Sequence, residues 1–240
     1  MQFLSVLLLL LSSSLIQFAS SARIQASNLT QTSTDKQRAA SIRASFVSSY
    51  NDYKKYAYPA DALLPLSEKG EGGFGNWQAT VVDALSTALI MNETTIANEM
   101  IASIEKIDFG NTSQSTLSLF ETNIRYLGGL LSAYELTGKK NKRFLQQATT
   151  VGDHLLAGWV GDRDVPFNTL RAWDVYGVPD TTTGAIIAEA GTLLLEMATL
   201  TKYTGNQTYL SHAKRSMRAV VNTNKPFPGL PGQGIDPNTN

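Results

Sequence analysis

The sequence predicts an all-α fold assembled from helical hairpins, on three observations. Apolar residues recur at helical spacing in several stretches, period-2 strand patterns are scarce, and two segments far apart share one layout of helix, glycine turn and helix. A single hairpin cannot bury its apolar face alone, so repeated hairpins suggest a solenoid or an α/α toroid, with an irregular helical bundle as the alternative.

The chain opens with an uncharged stretch. Phe3 to Leu11 is almost wholly apolar and leads into Ser-rich sequence ending Phe18-Ala19-Ser20-Ser21-Ala22, which reads as a cleaved signal peptide over residues 1–22 without the usual basic start. The apolar run falls short of the roughly 20 residues of a spanning helix, so no membrane span is expected after cleavage. Residues 23–35 form a polar segment, and residues 36–240 form the domain proper. In the first helix Ile42, Phe46, Tyr50 and Tyr53 fall on one face. Pro59 and Pro65 end it, because proline lacks an amide donor and disfavours helix in the residue before it.

A Gly-rich loop, Gly70 to Gly75, precedes a second helix from about Gln78 to Met91. The longest helical pattern is Phe120, Ile124, Leu127, Leu131, Tyr134, which stops at Thr137-Gly138, where glycine supplies a left-handed cap. Thr-Gly, a polar turn, then Phe144-Leu145 and Ala148 are echoed by Thr204-Gly205, then Tyr209-Leu210 and Ala213. Lys225 to Gly232 is a Pro/Gly-rich connection, after which a closing element is expected.

Composition narrows the function. Of 240 residues 42% are hydrophobic, enough for a real core, and 20 basic residues balance 20 acidic ones, so no net field draws the chain to nucleic acid. The absence of cysteine excludes disulfides, thiolate metal sites and thiol nucleophiles. Sequons at Asn28, Asn92, Asn111 and Asn206 agree with a glycosylated protein of the secretory pathway, lumenal or secreted.

Common catalytic signatures fail. Gly70-Glu71-Gly72-Gly73-Phe74-Gly75 fits G-x-G-x-x-G, but the Pro65-containing stretch before it is a poor buried strand, so it is a false dinucleotide signal. His154 and His212 are isolated and read as ordinary helix residues rather than metal ligands. Neither a G-x-S-x-G elbow nor a P-loop is present. Acidic residues in apolar or small-residue helices remain. Glu121, in Phe120-Glu121-Thr122-Asn123-Ile124-Arg125, has two readings: a carboxyl group desolvated enough to act as a general acid, or a surface i,i+4 partner of Arg125. Spacing alone favours the surface pair. Glu189 and Glu196 share that ambiguity, Asp83 lies among small residues, and Asp61, between prolines, suits a cap or a turn.

Ser118 to Tyr134, with Phe120-Glu121-Thr122-Asn123-Ile124-Arg125 at its centre, resembles the Phe-Glu-Thr-x-Ile-Arg signature of the class I α-1,2-mannosidases, glycoside hydrolase family 47. The likeness extends through Tyr53 to Ala57, Val82 to Ala88, Asp164 to Asn168, Gly177-Val178-Pro179, Ala188 to Glu196 and Pro226 to Leu230, in the style of secreted fungal members. The resemblance implies an α/α barrel of seven hairpins, of which these are the first. It implies hydrolysis with inversion: one carboxylic acid protonates the leaving oxygen and a second carboxylate activates water. It places Glu121 as the acid-side carboxylate, directly or through a water, Arg125 on the substrate, and Asp61 and Glu189 among the acidic pocket residues. A bound calcium and a high-mannose N-glycan substrate are implied, the protein acting as a monomer.

Two departures stand out. Ala60-Asp61-Ala62 replaces the family's frequent His-Asp-Glu, and nothing here matches the family's second catalytic carboxylates or its calcium-binding threonine. The expectation is therefore a partial α-1,2-mannosidase, inactive alone. The alternatives are a non-catalytic glycan-binding or quality-control protein, a pseudoenzyme, or a purely structural helical repeat.

Overall fold

Helix α1 (Ser33–Tyr56) begins where Thr32 and Asp35 close a reciprocal cap: the Thr32 amide donates to Asp35 Oδ2 at 3.0 Å and the Asp35 amide to Thr32 Oγ1 at 3.1 Å. The helix thus starts inside the segment read as a polar lead-in. The computed structural model describes residues 30–171, 173, 178–179, 184–222, 227, 229–230 and 232–239. The expected signal peptide at residues 1–22 and the sequon at Asn28 lie outside them, as does part of the Pro/Gly-rich connection.

The chain divides into two compact units, residues up to Ser45 and Phe46–Asn240. In the first, every described residue is exposed, and Ile42, at 60%, does not belong to a buried face as its spacing predicts. In the second unit Tyr50 and Tyr53 are buried, and the Tyr53 hydroxyl donates to the Ala60 carbonyl at 2.6 Å.

The Gly-rich stretch is part hairpin: β1 (Ala62–Leu64) pairs antiparallel with β2 (Lys69–Glu71). After it, α2 (Ala79–Ile90) and α3 (Thr94–Ile104) form the first helical hairpin. Strand β3 (Thr116–Ser118) runs directly into a helical run made of α4 (Leu119–Glu121), a π-helical segment (Thr122–Leu127) and α5 (Gly128–Leu136), which pairs with α6 (Lys142–Leu155). Next come β4 (Thr169–Arg171), β5 (Val178–Pro179), β6 (Ala185–Ile186) and the short α7 (Ile187–Gly191). The third hairpin is α8 (Leu194–Thr204) with α9 (Gln207–Asn222), and β7 (Gly234–Ile235) pairs back on β6.

Glycine sets both later turns: Gly138 (φ 70°) and Gly205 (φ 78°) take the left-handed conformation that ends α5 and α8. The two Thr-Gly segments of the sequence are therefore the same structural event. The strands escape sequence reading because each is two or three residues long, too short for alternation to register.

One core joins the hairpins. Val81, Val82 and Leu85 of α2, Met100 and Ile104 of α3, Leu130 and Leu131 of α5, Phe144 and Val151 of α6, and Met197 and Leu200 of α8 are all buried in it. Helices α2 and α5 approach closely, since a β-carbon on Gly129 would sit 3.0 Å from the Val82 carbonyl oxygen. The predicted face of the long pattern holds for Leu127, Leu131 and Tyr134, whereas Phe120 and Ile124 are half-exposed. The wider π turn between them rotates the first part of the helical run relative to the second, and Leu119, Thr122 and Asn123 are buried instead.

Candidate functional site

The helical run that carries Glu121 is fixed at its start. Ser118 ends β3, which pairs with β4 at Ser118↔Thr169, and its side-chain oxygen caps the helix by accepting the Glu121 amide at 3.1 Å. Asn168 completes the anchor: its carbonyl accepts the Leu119 amide at 2.6 Å and its Oδ1 accepts the Phe120 amide at 2.9 Å. The Asn168 amide then donates to Glu189 Oε1 at 2.8 Å, while Glu189 Oε2 accepts the Ile186 amide at 2.9 Å. Glu189 thus works as a capping and bracing carboxylate, one residue removed from the Glu121 backbone. Asn168 is a residue that sequence reasoning assigned no role, although it sits in the Pro166-Phe167-Asn168 string.

One π turn on, Arg125 gathers three groups. Its Nε donates to Glu121 Oε2 at 2.7 Å, its Nη1 donates to Asp83 Oδ2 at 2.9 Å, and its guanidinium carbon lies 4.8 Å from the centre of the Phe74 ring. The i,i+4 pair read from spacing exists, but Asp83 from α2 makes it a three-residue cluster. Side-chain exposure is 32% for Glu121, 33% for Arg125 and 42% for Asp83, so the cluster faces solvent while half-embedded in protein. Partial burial works to lower the Arg125 pKa, but the bond to Asp83 and the charges of Glu121 and Asp83 outweigh it and leave the group above its ordinary value. Arg125 stays cationic between the carboxyl groups of Glu121 and Asp83. Among the described residues Glu121 Oε1 has no hydrogen-bond partner, so one carboxylate oxygen is available to a ligand.

Asp61 is placed differently. It is fully buried, its Oδ2 accepting the Phe74 amide at 2.9 Å and the Asn76 amide at 2.8 Å, its Oδ1 accepting the Ala79 amide at 3.2 Å and the Tyr126 hydroxyl at 3.3 Å. Burial, reinforced by the Asp61 charge, pushes the Tyr126 phenol far up, so it remains a donor. The structure does not bring Asp61 onto the open cluster, and its oxygens are occupied by protein. The same bonds dispose of the G-x-G-x-x-G match, because amides that would cradle a phosphate bind Asp61 and the strand before them is antiparallel.

Other carboxylates and histidines sit apart. Glu196 accepts the Asn123 side-chain amide at 2.9 Å beside an open space of about 200 Å³ between α5 and α8. His154 and His212 each bond the carbonyl four residues back, at 2.8 and 2.9 Å, as helix residues do. The sequons at Asn92, Asn111 and Asn206 are exposed. Calcium takes about six to eight oxygen ligands. Among the described residues no group of three or more His, Cys, Asp or Glu gathers to hold a metal, and no step is routed through one. No helix among them is long and apolar enough to cross a membrane.

Comparison with known proteins finds relatives of the chain. The model of glycosyl hydrolase family 47 matches residues 45–240. A probable mannosyl-oligosaccharide alpha-1,2-mannosidase 1B of Neosartorya fischeri is 38% identical over 211 residues, 82% of this chain and 42% of that protein. The mannosyl-oligosaccharide alpha-1,2-mannosidase 1B of Aspergillus phoenicis is 36% identical over 217 residues, 85% of this chain and 42% of that protein. Among solved structures, an alpha-1,2-mannosidase from Trichoderma reesei superposes with a TM-score of 0.77 at 32% identity, covering 83% of this chain and 44% of that one. The chain thus spans about two-fifths of the length of the relatives it matches.

Proposed function

This chain belongs to glycosyl hydrolase family 47, and from that premise we propose that it contributes the acid-side part of an α-1,2-mannosidase site that trims high-mannose N-glycans. The observation that carries the reading is the half-exposed cluster in which Arg125, on the π-helical segment, bonds both Glu121 and Asp83. In hydrolysis with inversion, a carboxylic acid protonates the departing glycosidic oxygen while a second carboxylate, about 6.5–9.5 Å away, draws a proton from the attacking water. Glu121 takes the first role, directly or through a bound water, with its Oε1 toward the sugar. Arg125, held on two sides by carboxylates, presents fixed donors to mannose hydroxyls. Glu189, through Asn168, keeps the helix start in place. The water-activating carboxylate has no assigned residue in this chain, which favours sugar binding without turnover when the chain is alone.

The secretory pathway is the setting that the exposed sequons and the mannosidase substrate support, and a monomer suffices for the proposed site. Titration of the chain with α-1,2-mannobiose tests the reading. Binding that Arg125→Leu abolishes supports it, and no binding to the unsubstituted chain sinks it. Release of free mannose from a high-mannose glycan separates an enzyme from a non-catalytic glycan binder.

A further inference from the structure

We infer that Asp61 is a positioning residue for the mannose site, acting on Arg125 through the loop from Phe74 to Ala79, an inference that rests on the mannosidase reading above. Asp61 is 0% exposed and touches no ligand-accessible surface, yet one carboxylate collects four donors from two different walls. Three are amides of the loop, and the fourth is the hydroxyl of Tyr126, the neighbour of Arg125 in the π segment. A carboxylate only accepts, so it alone among small side chains satisfies such a set.

The loop needs that grip. Asn76 and Gln78 both stand at φ 59°, a left-handed conformation that residues other than glycine keep only where their surroundings over-determine it. The Asn76 amide is itself one of the Asp61 donors, and the Asp61 carbonyl accepts the Thr80 amide at 2.9 Å and the Thr80 hydroxyl at 2.7 Å. What the held loop delivers is the Phe74 ring, 4.8 Å from the Arg125 guanidinium, on a residue whose other contacts are Glu121 and Asp83. Asp61 therefore ties together the loop that stacks on Arg125 and the helical segment that bears it. A purely architectural Asp61 would only cap the start of α2 through the Ala79 amide, leaving the surroundings of Arg125 indifferent to it.

The two roles separate by NMR on the intact chain, following the Arg125 Nε–H resonance, which reports both the bond to Glu121 and the Phe74 ring current. Asp61→Asn keeps the side-chain shape but turns one acceptor into a donor facing donors. Its Arg125 resonance is expected to shift, with α-1,2-mannobiose binding weakened about tenfold, the equivalent of one hydrogen bond. Phe74→Leu, which leaves the clamp intact, is expected to shift the same resonance while the Trp77 indole signal stays put. An Arg125 resonance unmoved in either variant overturns the inference, as does an Asp61→Asn chain that fails to fold, since that assigns the residue to the architecture of the whole chain. A chain in which neither variant matters for mannobiose because the unsubstituted form does not bind it overturns the mannosidase reading instead, and the resonances still decide the role of Asp61.

Discussion

Two acidic centres meet neighbouring residues of the π-helical segment, Asp61 at Tyr126 and the Glu121–Asp83 pair at Arg125, in opposite ways. Asp61 is sealed from water with both oxygens occupied by backbone amides and the Tyr126 hydroxyl. Glu121 and Asp83 stay partly open to solvent and share a single arginine. A buried carboxylate must be matched donor for donor or it destabilises the fold, so it acts through the groups it holds and not on a ligand. A carboxylate left half in water keeps an oxygen for a ligand. The difference teaches that the residue types named by a family motif do not fix their roles; the donors around them do.

That contrast breaks first at Asp61. Asp61→Ala strands three amides and a hydroxyl, and with about 1–3 kcal/mol for each unsatisfied group the expected loss is at least about 4 kcal/mol. Urea unfolding followed by tryptophan fluorescence measures it, and a loss below that of any surface variant would erase the distinction between the two centres. Tyr126→Phe comes next. It removes one of four donors and leaves Asp61 Oδ1 with the Ala79 amide, for an expected cost of about 1 kcal/mol in the same unfolding experiment.

Much of this was legible in the sequence and some was not, for physical reasons. Helical periodicity located α1 and α5, and the repeated Thr-Gly pairs located the turns at Gly138 and Gly205, because a left-handed cap leaves a residue-specific mark. The pairing of Glu121 with Arg125 followed from i,i+4 spacing. Asp83 joining that pair, Phe74 stacking on it and Asn168 bracing its helix did not follow, since each is a contact across 42 or more positions of chain that no local pattern encodes. The π turn was equally invisible, and it is why Phe120 and Ile124 leave the face that a regular helix would have given them.

The open centre gives a smaller stability effect and a larger functional one. Glu121→Gln loses a partly exposed ion pair, which calls for less than about 1 kcal/mol after solvent screening. The fold survives, Arg125 keeps Asp83, and the proposed proton donor is gone. The measurement is paired: unfolding in urea against mannose release by a chain completed with the remaining family hairpins. A variant that unfolds as the parent does and yet releases mannose at the parent rate would show that Glu121 is neither the proton donor nor a structural carboxylate.

The smallest expected effect comes from a third acidic group, and it calibrates the other two. Glu135, at the end of α5, accepts the Tyr203 hydroxyl and lies 3.6 Å from Lys202 on an exposed surface. The Tyr203 bond, aided by the Lys202 charge, holds its carboxyl below the ordinary value against the opposing effect of burial. A carboxyl depressed in the folded state contributes stability above its unfolded pKa and loses it as pH falls through the folded one, because the unfolded chain then binds protons first. Stability at neutral pH should therefore exceed that below the carboxylate range by an amount that Glu135→Gln reduces. Because the group is exposed, that reduction should be smaller than the Tyr126→Phe change and should shrink further in high salt. Unfolding midpoints of parent and variant at neutral pH and near pH 3 read it out. A pH-dependent difference that matches or exceeds the Tyr126→Phe cost would mean that exposure does not separate the working charges of this chain from its structural ones.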